Sequence, residues 1–182
     1  MKLPCDTKLC FLNVQVQCLT GKPHPILQYV LTTQEVLRSR AHVRMLAGDY
    51  PCFSYLGSDR HHYASCRLCL ALSLHQPAPE ENMVHLLTRC RCTASTRTRI
   101  IPDLMNLLSQ HFPSNDILVH PNHTHLTQLI LDPTSLNLPM NIRISPDHPA
   151  LPAVLTMCRN LCFFIDKDRN QQLRLMKEEA AL

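Results

Sequence analysis

Four potential metal ligands in the middle of the chain constrain its fold more than any other feature. Cys66-Arg67-Leu68-Cys69 is followed by His85 and Cys90, which gives the spacing C-x2-C-x15-H-x4-C. A C-x2-C turn allows two thiolates to share one zinc ion. A His and a Cys five positions apart can complete the tetrahedron from a short helix and the turn that ends it. We therefore predict that residues 66–90 fold around a metal ion.

The ligand set Cys66, Cys69, His85 and Cys90 predicts a closed Zn²⁺ site. Three thiolates and one imidazole fill all four tetrahedral positions and leave none open for water, so such a site stabilises a fold and does not catalyse. Ordinary interior packing of these four side chains is the alternative. The individual ligands also stay open, because Cys92 is able to replace Cys90. Further candidates are His61, His62 and His75.

Ten cysteines in 182 residues raise the question of disulfides. The apolar stretch at residues 9–12 is soon interrupted by polar side chains and is too short for the core of a signal peptide. We therefore expect an intracellular protein, nuclear or cytoplasmic, with reduced thiols. In such a protein clustered Cys and His residues indicate metal binding first. A secreted disulfide protein is the alternative.

Glycine content excludes several common folds. The chain has only three glycines but 14 prolines. It contains neither GxGxxG nor GxxxxGK[ST], which argues against a Rossmann fold or a P-loop. Its longest apolar run is far shorter than the roughly 20 residues of a membrane-spanning helix. We predict a mainly α protein that does not enter a membrane, with a small irregular zinc-knuckle segment between helical segments and a partly disordered N-terminus.

Composition and apolar periodicity divide the chain into four segments. Residues 1–31 are an N-terminal extension, a loop with at most a short strand over residues 11–19. Residues 32–112 contain an Arg-rich helix and the zinc-knuckle-like module. Residues 113–149 are a Pro-rich connector with a short helix over residues 124–131, and residues 150–182 are a C-terminal helical tail.

Local signals place the main helices. Thr32 and Glu35 have capping-box spacing, so a helix begins at Thr32 or Thr33 and ends at Gly48. Pro102 is suited to the first turn of a helix that runs to residue 112. Residues 81–90 indicate a short helix, and residues 154–179 indicate one long helix or two broken near residue 166. The residues predicted to face inward on the first helix are Val36, Leu37, Ala41, Met45 and Leu46, and on the short helix Met83, Val84 and Leu87.

Basic side chains are concentrated in the first hundred residues. Residues 1–65 carry seven basic and four acidic side chains, residues 66–100 carry five and two, and residues 101–182 carry six and eight. Because the planar guanidinium suits phosphate, these arginines predict an RNA- or DNA-binding surface, with a solvated basic face as the alternative. The candidate contacts are Arg40, Arg44, Arg67, Arg89, Arg91, Arg97 and Arg99. Nearby aromatic side chains either stack on unpaired bases or pack against the knuckle, namely Tyr50, Phe53, Tyr55 and Tyr63.

No catalytic motif accompanies these features. The sequence lacks GxSxG and HExxH. Asp166 and Asp168 lie two positions apart on a predicted helix, so they point away from each other and are interpreted as part of a solvated face. Cys158 and Cys162 lie on an apolar helical face, which predicts core packing and no second metal site. We therefore predict that the protein is not an enzyme.

The order of these elements resembles the carboxy-terminal region of non-LTR (LINE-type) retrotransposon polyproteins. Residues 42–50 (HVRMLAGDY) resemble the end of that family's Arg-rich helix, and the CRLC and HLLTRC elements resemble its Cys-Cys-His-Cys zinc knuckle. Residues 129–133 and 158–169 are similar to the helical tail that follows the knuckle. The resemblance extends from near residue 35 to the end and is strongest over residues 42–100.

The resemblance implies a non-catalytic module that binds Zn²⁺ through Cys66, Cys69, His85 and Cys90 and holds RNA template or DNA target for a polymerase. The 15 residues between Cys69 and His85 exceed the family's usual interval, which places an insertion at residues 70–80. Nothing resembles the polymerase's paired-aspartate motif or an endonuclease, so the chain corresponds to a detached tail of the polyprotein. The alternative is a small helical protein-interaction protein, or a non-functional relic, with at most a structural zinc site.

Overall fold

The computed structural model describes residues 24–28, 32–48, 50, 65–71, 79–112 and 122–179. Within these ranges the chain is mainly helical and has no strand, which confirms the predicted fold class. The predicted strand over residues 11–19 and most of the N-terminal extension lie outside the described residues. Residues 25–28 of that extension were predicted as loop, but they form a short helix because Ile26 is buried in the core. The α-helices are α1 (Pro25–Gln28), α2 (Thr33–Leu46), α3 (Arg67–Ala71), α4 (Ala94–His111), α5 (His123–Leu131) and α6 (Leu151–Glu179).

Helix α2 has the ends that its sequence predicts. The Thr32 backbone N–H donates to the Glu35 carboxylate at 2.8 Å, and the Glu35 N–H donates to the Thr32 hydroxyl at 3.2 Å, which completes the capping box. After the helix, Gly48 has a φ of 68°. This left-handed conformation is the one in which glycine commonly stops a helix.

The buried face of α2 differs from the predicted one. Val36 and Leu37 are 54% and 55% exposed, although their spacing placed them inward. Helix α2 packs against α6, α5 and α1, and this packing selects a face rotated away from those two residues. The buried residues of α2 are Ser39, Ala41, His42, Met45 and Leu46.

Helix α4 shows that the prediction for Pro102 is wrong. The helix begins at Ala94, so Pro102 lies in its interior and not in its first turn. An interior proline removes one backbone hydrogen bond and crowds the preceding turn. Here Pro102 is on the exposed side, while Leu104 and Leu108 anchor the same helix in the core. Core packing therefore stabilises a helix that begins earlier in the sequence than the local signals predict.

Helix α6 is one continuous helix of 29 residues, so it has no break near Asp166. The Asp166 carboxylate accepts hydrogen bonds from the Tyr50 hydroxyl at 2.8 Å and from the Asn170 amide at 3.0 Å. The Asp168 carboxylate accepts one from the Thr96 hydroxyl. The interpretation of these two carboxylates as a solvated face is therefore wrong, since both fasten other parts of the chain to α6.

One main core joins the described helices. Helix α6 packs against α2 and α4, and Cys158 and Cys162 are buried in this core as predicted. Helix α5 spans His123–Leu131, within one residue of its predicted start, and contributes Leu126, Leu129, Ile130 and Leu131. The turns of residues 132–150 also enter the core, through Leu138, Ile142 and Ile144. No described helix has the length and apolar content needed to cross a membrane.

A second, smaller cluster lies beside the main core. It consists of the buried residues Cys66, Leu68, Cys69 and Cys90, with Cys92, Leu173 and Met176 packed against them. Leu173 and Met176 belong to the last two turns of α6. One long helix therefore contacts the main core with its first half and the cysteine cluster with its end.

Candidate metal centre

A short backbone contact brings the first two predicted ligands close to the other two. Ser65 and Glu80 form an isolated antiparallel bridge, and the Cys66 N–H donates to the Pro79 carbonyl at 2.7 Å. Helix α3 follows at once and carries Cys69. The bridge brings residues 79 and 80 next to Cys66. The ligands are therefore close in space, although 15 residues lie between Cys69 and His85 in the sequence.

A π-helical turn places the other two predicted ligands on one side. The turn spans His85–Arg89, and the Cys90 N–H donates to the His85 carbonyl at 2.6 Å. In a regular α-helix, residues five apart are rotated by about 140° from each other. The wider π turn removes most of this rotation, and such turns are frequent at functional sites. The Asn82 side chain accepts from the His85 N–H at 2.8 Å and fixes the start of the turn.

The short helix predicted over residues 81–90 is therefore this π turn, entered through one turn at Met83 and Val84. Met83 and Leu87 are buried, as predicted. Leu86 is buried as well, whereas Val84 is only half-buried. A π turn has more residues per turn than an α-helix, so Leu86 and not Val84 faces inward.

The four predicted ligand atoms converge on one point, all within 4.8 Å of one another. The Cys66 sulfur is 3.9 Å from the Cys90 sulfur, and the Cys69 sulfur is 3.8 Å from it. The Cys69 sulfur is 3.5 Å from Nε2 of His85. A tetrahedral ion with metal–sulfur bonds of about 2.3 Å and a metal–nitrogen bond of about 2.0 Å sets these separations at about 3.8 and 3.5 Å. The donor atoms are spaced to hold such an ion.

No disulfide joins the three cysteines of the cluster. Its sulfur–sulfur separations of 3.8 and 3.9 Å are nearly twice a disulfide bond length of about 2.05 Å, and all described cysteines are free. All four side chains are also buried. Since the protein supplies four donors, an ion bound here in tetrahedral geometry has no position left for water.

Hydrogen bonds that share a proton link the thiols of the cluster. The contact with Cys66, and after it the contact with His85, lowers the pKa of the Cys90 thiol. The same contact and burial raise the pKa of Cys66, and burial raises that of Cys69. A bound cation requires deprotonated thiols, so it displaces these protons.

Cys90 and not Cys92 belongs to the converging group of four. Cys92 is half-buried and packs against the edge of the cluster. Burial and the neighbouring Cys90 charge raise the pKa of the Cys92 thiol to about 12. Cys92 is therefore a neutral neighbour of the ligands. The other candidates, His61, His62 and His75, lie outside the described residues.

Three of the predicted arginines adjoin the ligands. Arg67 follows Cys66 directly, and Arg89 and Arg91 flank Cys90; all three are exposed. Among the described residues, Arg89 and Arg91 form no ion pair. Three exposed arginines, which we call the basic surface, thus adjoin the candidate ligands along the chain: Arg67, Arg89 and Arg91.

The remaining predicted arginines lie on α2 and α4. Arg40 is exposed and Arg44 is half-buried, and both are on α2. Arg99 is exposed, with its guanidinium 4.8 Å above the ring of Phe164. Arg97 is half-buried and donates to the Thr93 hydroxyl at 2.6 Å. These four arginines thus have different surroundings.

Several residues that support the site were not identified from the sequence. Leu173 and Met176 belong to the apolar stripe of α6, but nothing in the sequence indicated that they pack against the cysteines. Glu81 and Arg169 form a buried ion pair at 3.0 Å, four residues before His85. Tyr50 is buried, with its ring beneath Arg169, so it packs in the core and does not face solvent. Phe53, Tyr55 and Tyr63 lie outside the described residues.

Comparison with known proteins adds no further information about the site. No family model, curated protein or solved structure matches the chain. What the cluster can do chemically follows from its own donors, which are three thiols and one imidazole arranged to hold a single metal ion.

Proposed function

We propose that the protein is a non-catalytic zinc module that binds RNA or DNA through the basic surface around its metal centre. The observation that carries the proposal is the position of Arg67, Arg89 and Arg91, exposed and next to the buried ligands Cys66 and Cys90. An ion that fixes the ligands also fixes the backbone from which these arginines project.

The donor set favours Zn²⁺ over other common cations. Calcium and magnesium take oxygen ligands, whereas thiolates and imidazole in a tetrahedral arrangement suit zinc. The four buried donors provide a closed structural site, and its role is to join α3, the π turn and the end of α6. In this role zinc stabilises the fold and takes part in no reaction.

Phosphate recognition follows from the chemistry of the exposed arginines. A guanidinium keeps its charge at all physiological pH values and can donate two parallel hydrogen bonds to a phosphate. Arg89 and Arg91 are not engaged by any described acidic residue, so they are available to a ligand. In the proposal, Arg40, Arg44 and Arg99 provide further contacts on a long nucleic acid.

The resemblance to LINE-type polyproteins agrees with this proposal. The Arg-rich helix α2, the cysteine cluster and the long helix α6 follow each other in the order that the family shows. We propose that the chain corresponds to the carboxy-terminal region of such a polyprotein and acts inside the cell, in the nucleus or cytoplasm. The free thiols of its described cysteines are suited to a reducing compartment.

A helical protein-interaction function is the second candidate. It is favoured by Val36 and Leu37, which are adjacent on α2 and are both more than half exposed. In that case the metal centre only stabilises the fold, and the arginines are a solvated basic face. The two candidates differ in whether RNA or DNA binds in a salt-dependent manner.

Zinc stoichiometry tests the first half of the proposal. Protein purified under reducing conditions and reconstituted with zinc should bind one ion per chain, and Cys66→Ser and His85→Ala should each abolish binding. Cys92→Ser is the matched control, because Cys92 adjoins the cluster without belonging to it; this variant should keep the ion. Absence of zinc from the reconstituted wild-type protein would remove the metal centre from the proposal.

Salt-dependent binding tests the second half. We expect single-stranded RNA or duplex DNA to bind, and the double variant Arg89→Gln/Arg91→Gln to lower the slope of log K against log salt by about 1.4 to 1.8. Arg143→Gln/Lys167→Gln removes the same charge elsewhere and should leave the slope unchanged. An equal effect of both double variants, or no nucleic-acid binding at all, would favour the interaction protein.

A further inference from the structure

We infer that Arg97 is the charge partner of the metal centre and sets how firmly its thiolates hold the ion, and that it is not a nucleic-acid contact. The inference rests on the proposed zinc site. It gives Arg97 a different role from the exposed arginines that were predicted, together with Arg97, to contact a nucleic acid.

A chain of hydrogen bonds positions Arg97 at the ligands. Its guanidinium donates to the Thr93 hydroxyl at 2.6 Å. That hydroxyl in turn lies 3.2 Å from the carbonyl oxygens of both Leu86 and Cys90, to which it donates. Thr93 is fully buried. The guanidinium is therefore fastened to the backbone of a ligand residue through one ordered side chain.

The net charge of the proposed centre requires a cation nearby. Three thiolates and a neutral imidazole on Zn²⁺ leave one net negative charge, and burying such a charge is unfavourable unless it is paired. Burial lowers the pKa of Arg97, so its charge is partly removed from solvent. The hydrogen bonds through Thr93 hold this charge beside Cys90, one of the proposed ligands.

The exposed arginines are less effective in this role. Arg67, Arg89 and Arg91 adjoin the ligands in sequence, but their side chains are in water. Water and salt screen their interaction with the buried sulfurs. Arg97 is half-buried, so less solvent lies between its charge and the cluster.

Loss of this charge should loosen the ion and make the thiolates better nucleophiles. A nearby cation favours each thiolate over its thiol, so without it protons compete better for the sulfurs when a chelator binds the zinc. The same cation lowers the reactivity of the sulfur lone pairs towards an alkylating agent. In alkylation by iodoacetamide the sulfur–carbon bond forms, the carbon–iodine bond breaks and iodide leaves. Without Arg97 we expect both processes to be faster.

The test uses the full-length, zinc-loaded protein and a chromogenic chelator. Arg97→Gln should transfer zinc on the order of 10-fold faster than the wild type, as is typical when a residue that supports metal ligands is lost. Iodoacetamide should also modify its ligand cysteines faster. Arg99→Gln is the matched control, because Arg99 is two residues along α4 and contacts Phe164. It should transfer zinc at the wild-type rate.

Two results would overturn the inference. One is an Arg97→Gln protein that keeps wild-type zinc transfer while its salt slope for nucleic-acid binding falls. The other concerns Arg97→Lys, which keeps the charge and can be measured even if the glutamine variant does not fold. Zinc transfer from Arg97→Lys close to the wild-type rate supports the inference. Transfer about 10-fold faster than the wild type contradicts it. Wild-type protein without zinc would instead refute the proposed function itself.

Discussion

At the scale of single residues, His42 shows how one buried side chain joins two helices. Its Nε2 lies 2.8 and 3.0 Å from the carbonyl oxygens of Ile130 and Leu131, the last two residues of α5. The end of a helix leaves such carbonyls without a partner inside the helix. The Nε2–H of His42 donates to them, while its Nδ1 is buried and has no hydrogen-bond partner among the described residues. This arrangement requires a neutral imidazole.

The stability of the protein should therefore fall with pH below the normal pKa of histidine. Burial lowers the pKa of His42 from 6.5 to about 4. Between these values the unfolded chain binds a proton that the folded protein does not, so the His42 contribution is full above pH 6.5 and is lost towards pH 4. The loss should reach about 3 kcal/mol.

Urea unfolding at pH 7.5 and pH 4.5 measures this effect. Since other groups also titrate over that range, the informative quantity is the difference between the wild type and His42→Gln. Glutamine can keep a donor near the α5 carbonyls but has no charge to gain, so its stability should fall less. Equal losses in the two proteins would contradict the assignment.

Glu81 gives a second prediction at this scale. It pairs with Arg169 at 3.0 Å, and the two side chains are 1% and 2% exposed. Removing one partner of a buried pair leaves an uncompensated charge, which typically costs about 3–5 kcal/mol. Glu81→Gln should destabilise by this amount in urea unfolding. Its neighbour Glu80 is exposed, so Glu80→Gln should change stability by less than about 0.5 kcal/mol; similar losses in both variants would contradict a specific role for the pair.

At the scale of elements, α2 separates what local sequence decides from what packing decides. Its start at Thr32 and its stop at Gly48 depend on residues within one turn of each end, so the sequence predicts both. Its buried face depends on where α5 and α6 lie, which no periodicity reports. That is why Val36 and Leu37 are exposed in spite of their spacing.

The contribution of the α2 capping box to the stability of the protein can be measured separately. Thr32→Ala removes the hydroxyl that accepts from the Glu35 N–H, and should destabilise the protein by about 1 kcal/mol. Thr33→Ala is the matched control, since Thr33 is exposed and already helical. Thermal unfolding should show a lower Tm for the first variant alone. A loss of the same size for Thr33→Ala would mean that general helix propensity, and not the cap, is responsible.

At the scale of the whole molecule, α6 connects two centres of stability. Its first half is buried in the main core through residues such as Leu155 and Ile165, and its end covers the cysteine cluster through Leu173 and Met176. Apolar burial stabilises the first half of α6, and the proposed metal ion stabilises the structure around its end. Loss of the metal should therefore affect one end of α6 more than the other.

Hydrogen exchange before and after zinc chelation tests this division. We expect faster exchange in residues 66–71, 85–93 and 170–179, with protection retained over residues 154–165. Re-addition of zinc should restore the original pattern, and Cys66→Ser should reproduce the chelated pattern without a chelator. Loss of protection along all of α6 would instead show that the two centres unfold together.

Features whose causes are local could be predicted from the amino-acid sequence. The C-x2-C turn, the later His and Cys, the capping box and the stop at Gly48 each depend on a few neighbouring residues. The convergence of Cys66, Cys69, His85 and Cys90 was therefore predicted correctly, and so was the mainly helical fold.

Which side chains are buried, and what they contact, depends on how the helices pack and could not be predicted from local signals. The Tyr50–Asp166 and Thr96–Asp168 hydrogen bonds join residues 116 and 72 positions apart, and the ordered contacts of Arg97 depend on a half-buried place beside the cysteines. Pro102 remains helical because the rest of α4 is packed. The physical reason is the same in each case: the free energy of burying a charge or a polar group is set by the groups that meet it, and those come from distant parts of the chain.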